Sequence, residues 1–459
     1  MAVSLSSVFS TIFTLQLVFV RPTFSSSRRV LHDQSRNLLE TSFRVALKHV
    51  DSGKNLTKFE RLQRGVKRGN HRLERINNYM MMAAGLSVDS SSQVTSPVHA
   101  GNGEFLMNLA IGTPPEMYSA IMDTGSDLIW TQCKPCTKCF DAPTPVFDPK
   151  KSSSFSKVAC SNSLCKALPN SQCGSDGCEY LYSYGDYSST QGVLATETFT
   201  FDKVTVPVIG FGCGEDNEGS GFNQGGGLVG LGRGPLSLVS QLKKSKFSYC
   251  LTSISDDTSS ENNPTSTLVM GSLATKTSNY NDSIYTTPLI KNPSHPSFYY
   301  LSLVGISVGN VDLPIKKSSF AVGSDGTGGM IIDSGTTITY LEESAFDLVK
   351  KQFVSQVKLD VDSSDSTGLD LCFQLPVDDG SGETTIEIPK LVFHFDGASL
   401  DLPGENYMIG DAKSGVVCLA MGSSSGISIF GNIQQQNMMV VHDLAKETLS
   451  FIPTKCDQL

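Results

Sequence analysis

The sequence predicts an all-β protein built from two duplicated lobes, and three observations carry that expectation. Its 459 residues include 41 Gly and 20 Pro but only 18 % charged residues, a turn-rich balance poor in helix-favouring Lys and Glu. The hexapeptide Ile121-Met-Asp-Thr-Gly-Ser126 recurs as Ile331-Ile-Asp-Ser-Gly-Thr336, 210 residues later. Each copy is followed by two apolar residues and a glycine. Leu228-Val-Gly230 ends 107 residues after Asp123, and Ile429-Phe-Gly431 ends 98 residues after Asp333. A two-part pattern repeated at similar spacing implies a duplicated lobe, and its period is far too long for a solenoid.

The N-terminus comes first. Val8 to Val20 is an uncharged, largely apolar run, too short to span a bilayer comfortably. Arg21-Pro22 ends it and Ser25-Ser26-Ser27 follow, so residues 1–26 read as a cleaved signal peptide. No later stretch is long enough for a transmembrane helix, and no membrane anchor is expected. Residues 27–100 read as a propeptide. Phe43 to Asn77 interleaves Arg and Lys with Leu, Phe and Val and is compatible with helix, and the Ser-rich stretch Ser87–Ser96 reads as a cleavable linker. Residues 1–100 carry a net charge of +8 and residues 101–459 a net charge of −17. A basic leader ahead of an acidic body suggests a segment that lies on the body as its inhibitor and is later removed. So acidic a body argues against nucleic-acid binding.

The body then divides into a first lobe at 101–295 and a second at 296–459. Glu104 to Ile111 alternates as a strand, Gly112-Thr-Pro-Pro turns, and Tyr118 to Met122 forms the strand that delivers Asp123. Two carboxylates a few Å apart cannot both ionise cheaply and share one proton, titrating as a unit. The ionised member takes a proton from a water and the protonated member donates toward a substrate carbonyl oxygen. Asp123 and Asp333 are the candidates. Gly125 and Gly335 permit a tight turn beside them. Thr124 and Ser334 supply neighbouring hydroxyls, and Ser126 and Thr336 can orient the outer carboxylate oxygens.

Other motifs are set aside. Gly225-Gly-Gly-Leu-Val-Gly230 matches a dinucleotide fingerprint but lacks a preceding strand, and Pro235 disfavours the helix that should follow. Gly422-Ser-Ser-Ser-Gly426 matches a nucleophile-elbow pattern inside a Ser/Gly-rich turn. His394 and His442 sit in apolar, strand-like contexts and read as structural. The run Cys133, Cys136, Cys139 invites a zinc site, but no His lies nearby and the signal peptide argues for oxidation. No metal or cofactor is expected. The twelve cysteines read instead as a disulfide framework whose connectivity the sequence leaves open.

Over roughly residues 100–459 the chain resembles the pepsin-like aspartic proteases, in their plant nepenthesin group. The resemblance rests on Asp123-Thr-Gly-Ser-Asp-Leu-Ile-Trp130, Asp333-Ser-Gly-Thr336, the cysteine-rich run Cys133 to Cys178, Phe211-Gly-Cys-Gly214, Gly230-Leu-Gly-Arg-Gly-Pro-Leu-Ser-Leu238 and Ile429-Phe-Gly-Asn-Ile-Gln-Gln-Gln436. The proton-sharing aspartate pair is the established precedent of that family. The resemblance implies a pepsin-like bilobal fold, two β-barrel-like lobes with the active-site cleft between them. It implies a flap hairpin carrying Tyr184 and Gly185, supported by Trp130. It implies the pairs Cys133–Cys136, Cys139–Cys213, Cys160–Cys178, Cys165–Cys173, Cys250–Cys456 and Cys372–Cys418, with the insertion 133–178 stapled beside the flap.

The expected protein is a secreted acid endopeptidase acting on polypeptides, made as a zymogen and working as a monomer. It is extracellular, with the vacuole as the alternative compartment. Asn55 and Asn281 are its N-glycosylation sequons, the first leaving with the propeptide. The alternative is a catalytically dead inhibitor or binding protein on the same scaffold. Intact Asp123, Asp333, Gly125, Gly335 and Tyr184 argue against it.

Overall fold

In each lobe the repeated motif is a pair of parallel strands, and those two pairs organise the molecule. Glu116–Asp123 runs parallel to Gly227–Gly230, with Leu228 beside Ile121, Val229 beside Met122 and Gly230 beside Asp123. Met330–Ile332 runs parallel to Ser428–Phe430, with Ile331 beside Ile429 and Ile332 beside Phe430. Ile121, Met122, Ile331, Ile332, Ile429 and Phe430 are all buried, as expected of parallel strands covered on both faces. The computed structural model describes residues 42–83, 105–175, 177–184, 188–219, 222, 224–254, 266–275, 284–364, 367–376, 386–411 and 413–459. The signal-peptide expectation at 1–26, Gly185 and Asn281 lie outside the described residues.

The lobes are joined by a continuous antiparallel run. Phe105–Ile111 pairs with Phe43–His49, which pairs with Ser266–Met270. Lys246–Cys250, Met438–Asp443, Thr448–Pro453 and Tyr285–Ile290 continue the run into the second lobe. Helix is sparse among the described residues; the longest in the second lobe, Glu343–Gln356, buries Ala345, Phe346, Val349 and Phe353 and is capped by the Glu342 carboxylate.

The N-terminal segment differs from a single helical stretch between Phe43 and Asn77. Phe43–His49 is a strand, because Phe43, Val45 and Leu47 alternate with exposed residues and enter the main core. Phe43 stacks on Phe201 at 4.9 Å between ring centroids. The helix runs from Lys58 to Ala83. Thr57 and Glu60 open it as a capping box: the Glu60 N–H donates to Thr57 Oγ1 at 3.1 Å, and the Thr57 N–H donates to Glu60 Oε2 at 2.8 Å. Its stripe of Phe59, Leu62, Val66, Leu73, Ile76 and Met80 packs with Ile338, Tyr340, Ile427 and Ile429 of the second lobe. Gly65 permits that approach, since a Cβ there would lie 2.5 Å from Thr337 Cγ2.

Four of the disulfides implied by the resemblance pair differently. Cys133 continues the strand Trp130–Gln132, which runs parallel to Gly212–Gly214, and its N–H donates to the Gly214 carbonyl at 2.8 Å. It therefore bonds Cys213 rather than Cys136, and Cys136 bonds Cys139 within the adjacent loop. Cys173 and Cys178 face each other across the hairpin and reach outward to different partners, giving Cys160–Cys173 and Cys165–Cys178 in place of the crossed pairs. Cys250–Cys456 and Cys372–Cys418 are paired as the resemblance implies. All three thiols of the zinc-like run are thus consumed in disulfides.

Candidate active site

Asp123 ends one parallel strand and Asp333 follows the other, and both carboxylates are wholly buried. The inner oxygens are held from below: the Gly125 N–H donates to Asp123 Oδ1 at 3.0 Å and the Gly335 N–H to Asp333 Oδ1 at 2.9 Å. The outer oxygens accept from the hydroxyls of Ser126 and Thr336. Between the two turns the Ser334 N–H donates to Thr124 Oγ1 at 3.1 Å, and the Thr124 and Ser334 hydroxyls lie 3.2 Å apart. Each hydroxyl singled out in the sequence thus meets a carboxylate oxygen or its counterpart in the other lobe.

The N-terminal helix brings these carboxylates a cation. Arg72, buried among them, donates from Nη2 to Asp123 Oδ1 and, at 2.9 Å, to Asp333 Oδ1; its Nε donates to Asp333 Oδ2. The same nitrogen therefore meets the inner oxygens of both aspartates. Gly125 and Gly335 have a role beyond the turn. A Cβ on either would fall 2.7 Å from the Arg72 guanidinium, so the glycines keep open the space over the carboxylates. Burial pushes the Asp123 carboxyl up, but Arg72 foremost, then Arg75, Ser126 and the Gly125 N–H, outweigh it and hold it below the usual carboxylate range. The Asp123 carboxyl is thus held as an ion against the buried guanidinium while the helix stays in place.

On the other side of the cleft Tyr184 is buried, and Trp130 Nε1–H donates to its hydroxyl at 2.8 Å. Trp130 itself is fixed edge-on to Phe222 and Phe140. Arg75, one helical turn beyond Arg72, places its guanidinium 5.6 Å from the Tyr184 ring centroid. Tyr182 packs edge-on against Tyr184 without taking its place at Trp130. A small cavity of about 60 Å³ remains among Tyr79, Ser126, Tyr182, Tyr184, Ser297 and Phe298.

Sequence reasoning named both aspartates, their glycines and hydroxyls, Trp130 and Tyr184, and the structure places them around one cleft. It missed Arg72. The basic leader signalled that some cation would face the acidic body, but only the helical register selects which. Elsewhere in the segment Lys54, Arg64 and Arg68 converge on the buried Asp51. His442 is buried in the interlobe sheet, stacked on Phe247, and His394 lies on a second-lobe strand bonded to Ser307 and Ser399; neither reaches the carboxylates.

Two family models match the chain, xylanase inhibitor N-terminal over residues 105–272 and xylanase inhibitor C-terminal over 298–453. Aspartic proteinase nepenthesin-1 of Nepenthes gracilis is 50 % identical over 455 residues, covering 98 % of this chain and 99 % of that protein. Nepenthesin-2 of the same plant is 49 % identical over equal coverage. Aspartyl protease family protein 2 of Arabidopsis thaliana is 36 % identical, covering 91 % of this chain and 86 % of the relative. The solved structure of edgp superposes with a TM-score of 0.59 at 22 % identity, covering 77 % of this chain and 92 % of that one, a likeness of fold. Near-full-length identity, both lobes matched and the bilobal fold together place the chain in the plant pepsin-like aspartic proteases, as an aspartic endopeptidase of the nepenthesin group.

Proposed function

We propose that the chain is the zymogen of an acid endopeptidase whose catalytic groups are Asp123 and Asp333. The observation that carries this reading is the convergence of both inner carboxylate oxygens on one Arg72 nitrogen. Residues 27–100 are the propeptide, and Arg72 is its inhibitory side chain. Once it leaves, the two carboxylates face each other without a counter-ion and retain one proton between them. The ionised member takes a proton from a bound water, whose oxygen adds to the scissile carbonyl carbon. The protonated member gives its proton to the carbonyl oxygen. The tetrahedral diol then collapses, a proton passing to the amide nitrogen as the C–N bond breaks. Tyr184 closes over the substrate and excludes water, held by Trp130.

Acid is the trigger. Docking of the helix lowers the Asp123 pKa. This carboxylate therefore supports docking above its undocked pKa, and that support is lost as the pH falls through the lower, docked value. Residues 1–26 direct secretion to the extracellular space, Asn281 carries the glycan of the mature enzyme, and the enzyme acts as a monomer on polypeptides. The test is digestion of a denatured protein at about pH 3, where most free carboxyls are protonated, with and without pepstatin. Asp123→Asn and Asp333→Asn should each lower the rate by about a thousandfold or more. Digestion that ignores pepstatin or survives either substitution would refute the dyad. A binding protein without catalysis would give no pepstatin-sensitive cleavage at all.

A further inference from the structure

One buried carboxylate near the site takes no part in the reaction above. Asp127 lies four residues after Asp123 and is 8 % exposed. Its Oδ1 accepts the Gly234 N–H at 2.8 Å, and its Oδ2 accepts the Ser297 hydroxyl. Gly234 belongs to the loop that follows the parallel strand Gly227–Gly230 of the first lobe. Ser297 opens the segment that enters the second lobe and leads to the strand at Tyr300. The loop is shaped around the carboxyl: a Cβ on Gly232 would lie 2.4 Å from Asp127 Oδ1, and one on Gly234 would lie 2.0 Å from Oδ2.

The same two segments are bonded again beside it. The Arg233 N–H donates to the Ser297 carbonyl at 3.1 Å, and the Tyr299 hydroxyl donates to the Leu231 carbonyl at 2.7 Å. From there the bonds run to both catalytic residues. The Leu231 N–H donates to the Asp123 carbonyl at 2.7 Å, and the Ile332 N–H, one residue before Asp333, donates to the Tyr299 carbonyl at 3.0 Å. A hydrogen-bonded path thus leads from Asp123 through Leu231 and Tyr299 to the peptide preceding Asp333, and Asp127 fastens its middle.

We infer that Asp127 is a positioning residue: its carboxyl clamps Ser297 of one lobe to the Gly230–Gly234 loop of the other and so sets the separation of Asp123 and Asp333. The clamp uses no atom of the N-terminal helix and persists when that helix departs. Burial raises the Asp127 pKa, the Ser297 and Gly234 hydrogen bonds oppose this and the Asp123 charge adds to it, with Tyr79, Tyr182 and Tyr299 the other titratable groups around it. A neutral carboxyl still accepts the Gly234 N–H and still bonds the Ser297 hydroxyl, so acid does not open it.

The inference rests on the aspartate-dyad reading, and the test separates the two. Full-length chains carrying Asp127→Ala, Ser297→Ala, both, or Asp127→Asn are activated in acid. Their active sites are titrated with pepstatin, and kcat and KM are measured per titrated site on a quenched peptide. Asp127→Ala should lower kcat about 10-fold or more while KM changes little, because misplacement of the reacting groups costs rate more than binding. Ser297→Ala should lower kcat less, and the double variant should match Asp127→Ala alone, since the two side chains act through one bond. Asp127→Asn, which keeps an accepting oxygen, should recover most of the rate. Unchanged kcat per site in Ser297→Ala and Asp127→Ala, or losses that multiply in the double variant, would overturn the inference. If Asp127→Ala does not fold, Ser297→Ala decides alone: an unchanged kcat overturns the clamp and a lowered one supports it. A wild type without titratable sites would overturn the dyad reading and this inference with it.

Discussion

At the scale of single residues, the Trp130–Tyr184 bond gives the most direct prediction outside the dyad. Tyr184→Phe keeps the ring but leaves the buried indole N–H unpaired and the flap less fixed. A net hydrogen bond of about 1 kcal/mol corresponds to a loss of about fivefold in kcat/KM. Steady-state kinetics on the activated chain checks this, and an unchanged value would detach Tyr184 from the cleft. Asp123 and Asp333 were legible because the chain prints their surroundings twice, down to the hydroxyls that hold the outer oxygens. Arg72 was not, because its leader is full of cations and the sequence gives each the same electrostatic claim on an acidic body. Asp127 was quoted only as part of a motif, since a carboxylate in a glycine-lined socket looks like any other until the chain is folded.

Among elements, the N-terminal helix is the one that brings a cation, Arg72, to both aspartates. Its backbone comes close to the second lobe at Gly65, where a Cβ would meet Thr337, and at Gly69, next to the Tyr340 hydroxyl. Gly65→Leu would force a side chain into Thr337 and lift the helix. Helix propensity improves with that change by about 1 kcal/mol, so a helix that merely needed to form would be strengthened. The expected outcome is the opposite, earlier release, read as self-processing at a higher pH than the parent chain; processing at a lower pH would contradict the docking described above. The strand Phe43–His49 could be found from its period of two, but the surrounding Lys and Arg drew the whole stretch toward a helical reading. The cysteine pairing was open for a physical reason. Which thiols meet depends on strand register, and Cys133 found Cys213 through a parallel pairing of segments eighty residues apart.

For the molecule as a whole, one buried histidine ties stability to pH. Burial among Phe247, Tyr249 and Tyr299 lowers the pKa of His442 to about 3. This folded value lies below the unfolded one, so stability is complete above the unfolded pKa. It declines as pH falls from there toward the folded value, where the unfolded chain takes a proton the folded one refuses. At pH 4 the penalty is about 3 kcal/mol. His442→Phe should therefore raise the melting temperature near pH 4 while changing it little at pH 7.5, in thermal unfolding of the intact chain. An equal shift at both would assign the effect to packing. The bilobal fold itself was legible from the duplicated motif and the turn-rich composition. The N-terminal segment expected to lie on the body is seen against it, with Arg72 paired to both aspartates.

That pairing supplies the most direct test. The intact chain and its Arg72→Ala variant are held at a series of pH values, and the onset of cleavage of a quenched peptide is recorded, with Asp333→Asn as the silent control. If the guanidinium occupies the place of the attacking water, Arg72→Ala should become active about one pH unit or more above the parent, since it lacks the ion pairs that acid must break. Identical onsets in the two chains would contradict the account.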